Sequence, residues 1–215
     1  MHENNLKTSS KKKLILILGI TIFVLLVMYL LTLLIPKLTQ KINEGTEEGT
    51  IKFNFYEPDF NEDIFTDEKY ISLIQDGFLK YDNGSNSIVQ ITEDNSSNFG
   101  EEVELLVDLV YSIQNGDSDL YNSFFSEEYL SQNEKKENFT MQKIYDATII
   151  YHSEETISSK TSNYTKYIYK LKYRIYENNG TFRQDIDEDA KTQYIVLTDR
   201  EGKLLIDSVS TSKYK

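Results

Sequence analysis

Residues 164–176 read YTKYIYKLKYRIY, and this stretch decides the fold class. Tyr167, Tyr169, Leu171, Tyr173 and Ile175 fall on one parity; Ile168, Lys170, Lys172, Arg174 and Tyr176 fall on the other. Side chains of a β-strand point alternately to its two faces, so this alternation predicts a strand with one face on a core and the other toward water. A helix would scatter the same five apolar residues around its circumference.

Working outward, the period of two begins at Phe139. Residues 143–151, KIYDATIIY, form a preceding strand, and His152 with Ser153, Glu154 and Glu155 reads as the exposed turn that ends it. Asn178-Asn179-Gly180 makes a turn, after which Thr181 to Ile186 starts a return strand. The acidic loop DEDAK leads to strands at 192–199 and 203–210, joined by Arg200-Glu201-Gly202.

Upstream the period becomes helical. Val103, Leu106, Val107, Val110 and Ile113 recur at three- and four-residue spacing, with Leu105 and Leu109 widening the face, which predicts a helix over 101–115. Ser97 or Asn98 caps its start, Glu101 and Glu102 suit the positive end of its dipole, and Asn115-Gly116 stops it. Asp117 caps a shorter helix in which Leu120–Phe124 and Tyr121–Phe125 are i, i+4 pairs. A polar loop, SQNEKKEN, follows at 131–138. Before the long helix, Asp82-Asn83-Gly84 predicts a hairpin of Phe78–Tyr81 with Ser87–Thr92, and EDNSSNFG at 93–100 reads as a loop. Residues 51–68 alternate aromatic and acidic groups. Ile51, Phe53 and Phe55 fit a short strand stopped by Pro58; the rest fits an arm laying Phe60, Ile64 and Phe65 onto the domain, or an acidic-aromatic docking peptide.

This order of elements predicts an α+β domain with helices packed on the concave face of a bent antiparallel sheet. LVDLVYSIQNGDSDLYNSFFSEEYL at 106–130 resembles the opening helices of the NTF2-like superfamily, and YIVLTDREGKLLIDSV at 194–209 is similar to its last two strands. The resemblance implies a cone-shaped domain over 99–215, behind an N-terminal arm and hairpin over 51–98. It brings no invariant catalytic motif. Some members are isomerases or dehydratases with a Tyr and a carboxylic acid in the mouth of the cone, and Tyr145, Asp146, Tyr169 and Tyr173 are the groups it offers here.

Leu14 to Ile35 reads LILILGITIFVLLVMYLLTLLI, without a charge. As a helix it is roughly 33 Å long, enough for a hydrocarbon core of about 30 Å. It exceeds the apolar core of a signal peptide, about 7–15 residues, and is read as an uncleaved transmembrane helix. Lys7, Lys11, Lys12 and Lys13 precede it against Glu3, whereas Lys37 and Lys41 are soon followed by Glu44, Glu47 and Glu48. The positive-inside rule therefore makes residues 1–13 a cytoplasmic basic tail, 36–50 an extracytoplasmic linker, and the later domain extracytoplasmic. An anchor followed by such a domain also looks like assembly components of bacterial conjugative secretion systems, in which the domain is an interaction platform. A composition rich in Lys, Asn, Ile and Tyr suggests an AT-rich genome, as in low-GC Gram-positive bacteria.

The 23 Lys+Arg against 35 Asp+Glu give a net charge of −12, which repels nucleic-acid phosphates. With no cysteine and only His2 and His152, the chain has few ligands for zinc. Asp185, Asp187 and Asp189 imitate a calcium loop, but Ala190 and Val196 stand where it needs Gly and Glu. No Gly-x-Ser-x-Gly and no phosphate-binding Gly-rich loop occurs. No catalytic residue, cofactor or metal site is expected. The expected function is a single-pass, membrane-anchored, non-catalytic interaction or assembly module for a protein partner or a second copy. The alternatives are a small-molecule-binding or isomerase/dehydratase-like cone domain, and a conjugative transfer channel component. Lys170, Lys172 and Arg174 are the candidate partner-binding residues, either ordinary solvent-facing positions or a basic stripe that docks an acidic segment such as the 57–68 arm of the same or a neighbouring chain.

Overall fold

The structure is a computed structural model and describes residues 53–85, 87–158, 163–200 and 202–212. The basic tail, the 14–35 anchor and the 36–50 linker lie outside the described residues; among the described ones no helix is long and apolar enough to cross a membrane.

The 164–176 alternation becomes the fourth strand of an α+β fold. The strands are β1 Leu79–Asp82, β2 Ile88–Gln90, β3 Ile144–Ser158, β4 Asn163–Ile175, β5 Gln193–Arg200 and β6 Lys203–Ser210, in the order β2-β1-β3-β4-β5-β6. Among the described residues five α-helices, α1 Glu68–Ile74, α2 Glu93–Ser96, α3 Glu101–Gln114, α4 Ser118–Ser123 and α5 Glu127–Gln132, accompany them. The sheet is mixed where an antiparallel one was expected, because β1 runs parallel to β3 while every other pair is antiparallel. A parallel neighbour needs a long crossover, and the helical segment between β2 and β3 supplies one.

The core lies between α3 and the inner face of the sheet. Val103, Leu106, Val107, Val110 and Ile113 are buried with Ala147 and Ile149 of β3, Tyr169, Leu171, Tyr173 and Ile175 of β4, and Ile195 and Leu197 of β5. Each fully buried Leu or Ile contributes about 1.5–3 kcal/mol. α3 ends as expected at Asn115 and Gly116, whose φ is +70°; a Cβ there would stand 2.8 Å from the Met141 amide nitrogen. Asp117 then accepts from the Leu120 amide at 2.8 Å and starts α4. Tyr121 and Phe125 pack with ring centroids 5.0 Å apart, whereas Leu120 faces solvent. Across the outer edge of β6, Phe124 O accepts from the Ile206 amide at 2.9 Å and the Ser126 amide donates to Ile206 O at 3.0 Å.

Several elements depart from the periodicity. The start of α3 is Gly100, at φ +104°, and neither Ser97 nor Asn98. Those two lie in a 3-10 turn, because Asn95 Oδ1 accepts from the Thr92 amide at 2.9 Å and folds the expected loop into α2. β3 does not end at His152; a bulge there shifts the register between Tyr151 and Ser153, and the strand runs on to Ser158. No strand forms over 181–186. The Asn178 side-chain amide donates to the carbonyls of Arg183 and Ile186 at 3.1 and 3.0 Å, folding the segment into a loop that buries Phe182 and Ile186.

The 53–67 arm contains no strand. Its Tyr56 amide donates to Asn178 O at 3.0 Å, and a Cβ on Gly180 would stand 2.9 Å from the Phe55 ring, so this close approach requires glycine. Of the three expected anchors, Ile64 is fully buried, while Phe60 and Phe65 stay 61% and 43% exposed. Asp67 caps the unanticipated α1 by accepting from the Lys69 and Tyr70 amides. The Tyr70 hydroxyl donates to Ile144 O at 2.9 Å and accepts from Gln114 Nε2 at 2.7 Å; burial pushes its pKa up to about 12. The ammonium of Lys143, its side chain only 8% exposed, meets Glu62, Asp67 and Glu177 at 2.8, 2.8 and 2.9 Å. Glu62 and Asp67 thus serve Lys143 within the chain rather than the basic residues of β4.

Candidate functional site

β4 positions the predicted stripe. Its register sets Glu155, Ile150, Thr148 and Tyr145 of β3 opposite Lys166, Lys170, Lys172 and Arg174. On the other side Thr198, Val196 and Tyr194 of β5 face Lys166, Ile168 and Lys170. These residues share the face turned away from α3, and the core cluster includes none of them. Lys172 is exposed, and Lys166, Lys170 and Arg174 are half-buried. Sequence reasoning missed Lys166, although its parity in β4 was the available signal.

The stripe is not uniform. Lys170 Nζ lies 5.6 Å over the Tyr194 ring and Lys166 Nζ 5.9 Å over Tyr164, leaving both ammonium groups able to meet a further partner. Among the described residues Lys166, Lys170 and Lys172 form no ion pair. Arg174 differs, because its Nε lies 3.8 Å from Asp146 Oδ2. Hydrogen bonding with the Tyr145 side chain, and then the charge of Asp146, raise its pKa. Asp146 reaches Arg174 from a β-bulge, with φ +49°, a conformation Asp tolerates better than most residues. Between the cations, the cross-strand neighbours Ile168 and Val196 are buried and give the face an apolar centre. Sequence parity had placed Ile168 on the water side.

Beyond β5 a groove of about 430 Å³ runs along this face, with Lys166, Val196 and Arg200 on the sheet side and Glu128 and Gln132 of α5 as a wall. Arg200 donates to Asp207 at 3.1 Å and approaches Glu128 at 3.8 Å. Thr198 Oγ1, buried in an adjoining hollow, has no hydrogen-bond partner among the described residues. The surface therefore offers free ammonium groups in a row, a small apolar centre and an unsatisfied hydroxyl beside a groove. That chemistry suits an extended segment carrying carboxylates.

The four groups offered for isomerase-like chemistry do not converge. Tyr145 and Asp146 stand with Arg174, Tyr169 packs edge-on to Tyr151 at 5.6 Å on the inner face, and Tyr173 is buried under Arg183. His152, in its bulge, meets the Tyr194 ring at 5.9 Å. Asp185 of the apparent calcium loop is bonded to Arg183 and Lys191. Among the described residues no group of three or more His, Cys, Asp or Glu is arranged to hold a metal ion. Compared with known protein families, curated proteins and solved structures, the chain matches none.

Proposed function

We propose that this chain is a single-pass membrane protein with its N-terminus in the cytoplasm. Its α+β domain, NTF2-like in organisation, is displayed outside as a non-catalytic interaction module. It docks an acidic segment of a protein partner, or of a second copy, on the outer face of the sheet. The observation that carries the reading is the row of Lys166, Lys170 and Lys172, without ion-pair partners among the described residues, on a chain of net charge −12. Cations gathered on one face of an acidic molecule steer an acidic partner to that face and away from the rest.

The reading is tested by fluorescence polarisation, using the full chain in nanodiscs and a labelled peptide with the sequence of residues 57–68. Exposed ion pairs contribute about 1 kcal/mol or less each, so Lys170→Ala, Lys172→Ala and Arg174→Ala together weaken binding by about 1–2 kcal/mol, roughly five- to thirtyfold at low salt. The salt dependence of binding shrinks in the same variant. Equal affinity of wild type and triple variant at low salt overturns the reading.

A further inference from the structure

At one end of the inner face, α4, α5, the loops before β3 and after β4, the start of β5 and the end of β6 border an open cleft of about 720 Å³. Tyr121, Tyr129, Phe182 and Val209 give it aromatic and apolar walls, and its charged groups are Lys136, Arg183 and Asp185. Arg183, only 6% exposed, is fixed in place: its Nε and Nη2 each donate to Asp185 at 2.9 Å, and its guanidinium lies 5.3 Å over the Tyr173 ring. Its buried Nη1 has no hydrogen-bond partner among the described residues. Lys136 Nζ donates to Phe182 O at 2.8 Å and lies 5.2 Å over the Phe182 ring. Among the described residues it meets no carboxylate.

Arg183 and Lys191, the latter at 3.1 Å, thus share Asp185, which leaves Lys136 without a carboxylate among the described residues. The uncompensated charge sits on Lys136, whose pKa is lowered first by burial and then by Arg183. The charge of an anion beside Nζ offsets both effects. With Asp185 taken up by Arg183 and Lys191, Lys136 is the lining cation without a carboxylate partner among the described residues, and one such ammonium suits one carboxylate. The rings suit an apolar body attached to it, beside a polar lining that includes Thr181, Gln184, Gln193 and Thr211; polar groups that fix orientation next to aromatic walls are common in small-ligand sites. We propose that this cleft binds a carboxylate bearing an aromatic or large apolar group, with Lys136 as its ion-pair partner, Arg183 as the fixed second cation, and Tyr121, Tyr129 and Phe182 packing on the apolar part. The site shares no residue with the β4 stripe and does not depend on it. The same chemistry is carried by a free aromatic acid and by the C-terminus of a peptide ending in Phe.

The test is calorimetric titration of the full chain in nanodiscs, with empty nanodiscs as the blank. The probes are N-acetylphenylalanine, its neutral amide, and N-acetyl-Ala-Ala-Ala-Phe. The acid binds at least tenfold more tightly than the amide, and Lys136→Gln abolishes that preference. Binding of the tetrapeptide as well identifies a peptide terminus as the source; binding of the small acid alone identifies a free acid. Arg183→Lys weakens the acid further where the variant folds; where it does not, Lys136→Gln carries the test. Equal binding of acid and amide, no binding of either acid, or a preference that survives Lys136→Gln overturns the proposal.

Discussion

Replacing Lys143 by Met removes one cation from among three carboxylates. In the native chain its ammonium bonds Glu62, Asp67 and Glu177 at 2.8, 2.8 and 2.9 Å, and so ties the 53–67 arm and α1 to the start of β3 and the end of β4. Burial alone lowers the pKa of Lys143, but the bonds to Asp67, Glu62 and Glu177 outweigh it and raise the pKa above the ordinary lysine value. Removing one partner of a buried ion pair costs about 3–5 kcal/mol, because the remaining charges stay behind uncompensated. Here the three carboxylate side chains are 38%, 22% and 29% exposed, so water offsets part of that cost. The expected loss is about 3 kcal/mol, which lowers Tm by about 6–12 °C for a chain of this size. Thermal unfolding of the full chain in nanodiscs, followed by the near-ultraviolet circular dichroism of its tyrosines, measures it. Hydrogen exchange across 62–74 then reports whether the arm detaches first. Adding Glu62→Gln, Asp67→Asn and Glu177→Gln to Lys143→Met restores part of the loss by relieving repulsion. A loss below about 1 kcal/mol with unchanged exchange in α1 refutes the reasoning, since a surface pair is worth about that much or less.

Two other outcomes follow from the same structure. Hydrogen bonding to Lys143 holds Asp67, and hydrogen bonding to Arg183 holds Asp185, below the usual carboxylate range. A depressed carboxylate contributes stability that is present above its unfolded pKa of about 3.9 and is lost as pH falls through the folded value, so Tm stays level near neutrality and drops below about pH 4. A Tm that rises on acidification contradicts this. The chain has no cysteine, which makes topology measurable with single introduced thiols. In intact cells a membrane-impermeant maleimide labels Ser131→Cys and spares Ser9→Cys until the membrane is opened; the reverse pattern overturns the orientation.

What could be read from the sequence follows from how local each signal is. The alternation of 164–176, the Asn-Gly turn at 83–84, and the stop of α3 at Asn115-Gly116 are each decided within a few residues, and the structure contains all three. The parallel pairing of β1 with β3 is decided by a crossover that no local period reports. The loop at 181–186 has a strand-like pattern, but Asn178 takes its carbonyls before a ladder does. The arm was harder to read, because its acidic groups carry no mark of serving Lys143 some 80 residues later; that pairing arises only when α1 comes to rest on β3. In the candidate surface, parity placed Lys170, Lys172 and Arg174 on one face, and the structure keeps them there. The Asp146 bulge that draws Arg174 aside and the burial of Ile168 needed the neighbouring strands. The Arg183 cleft had no sequence signal, since its parts come from α4, α5, two loops, β5 and β6.

The docking surface itself is tested most directly by cross-linking. Thr148, the β3 partner of Lys172 across the outer face, is replaced by Cys and labelled with a benzophenone, which leaves every cation in place. Leu120→Cys, exposed on α4, receives the same label as the control. On irradiation with the 57–68 peptide at low salt, the account predicts a cross-link from position 148 that salt suppresses, and none from position 120. Cross-linking from position 120 with none from 148 places the partner elsewhere and contradicts the account.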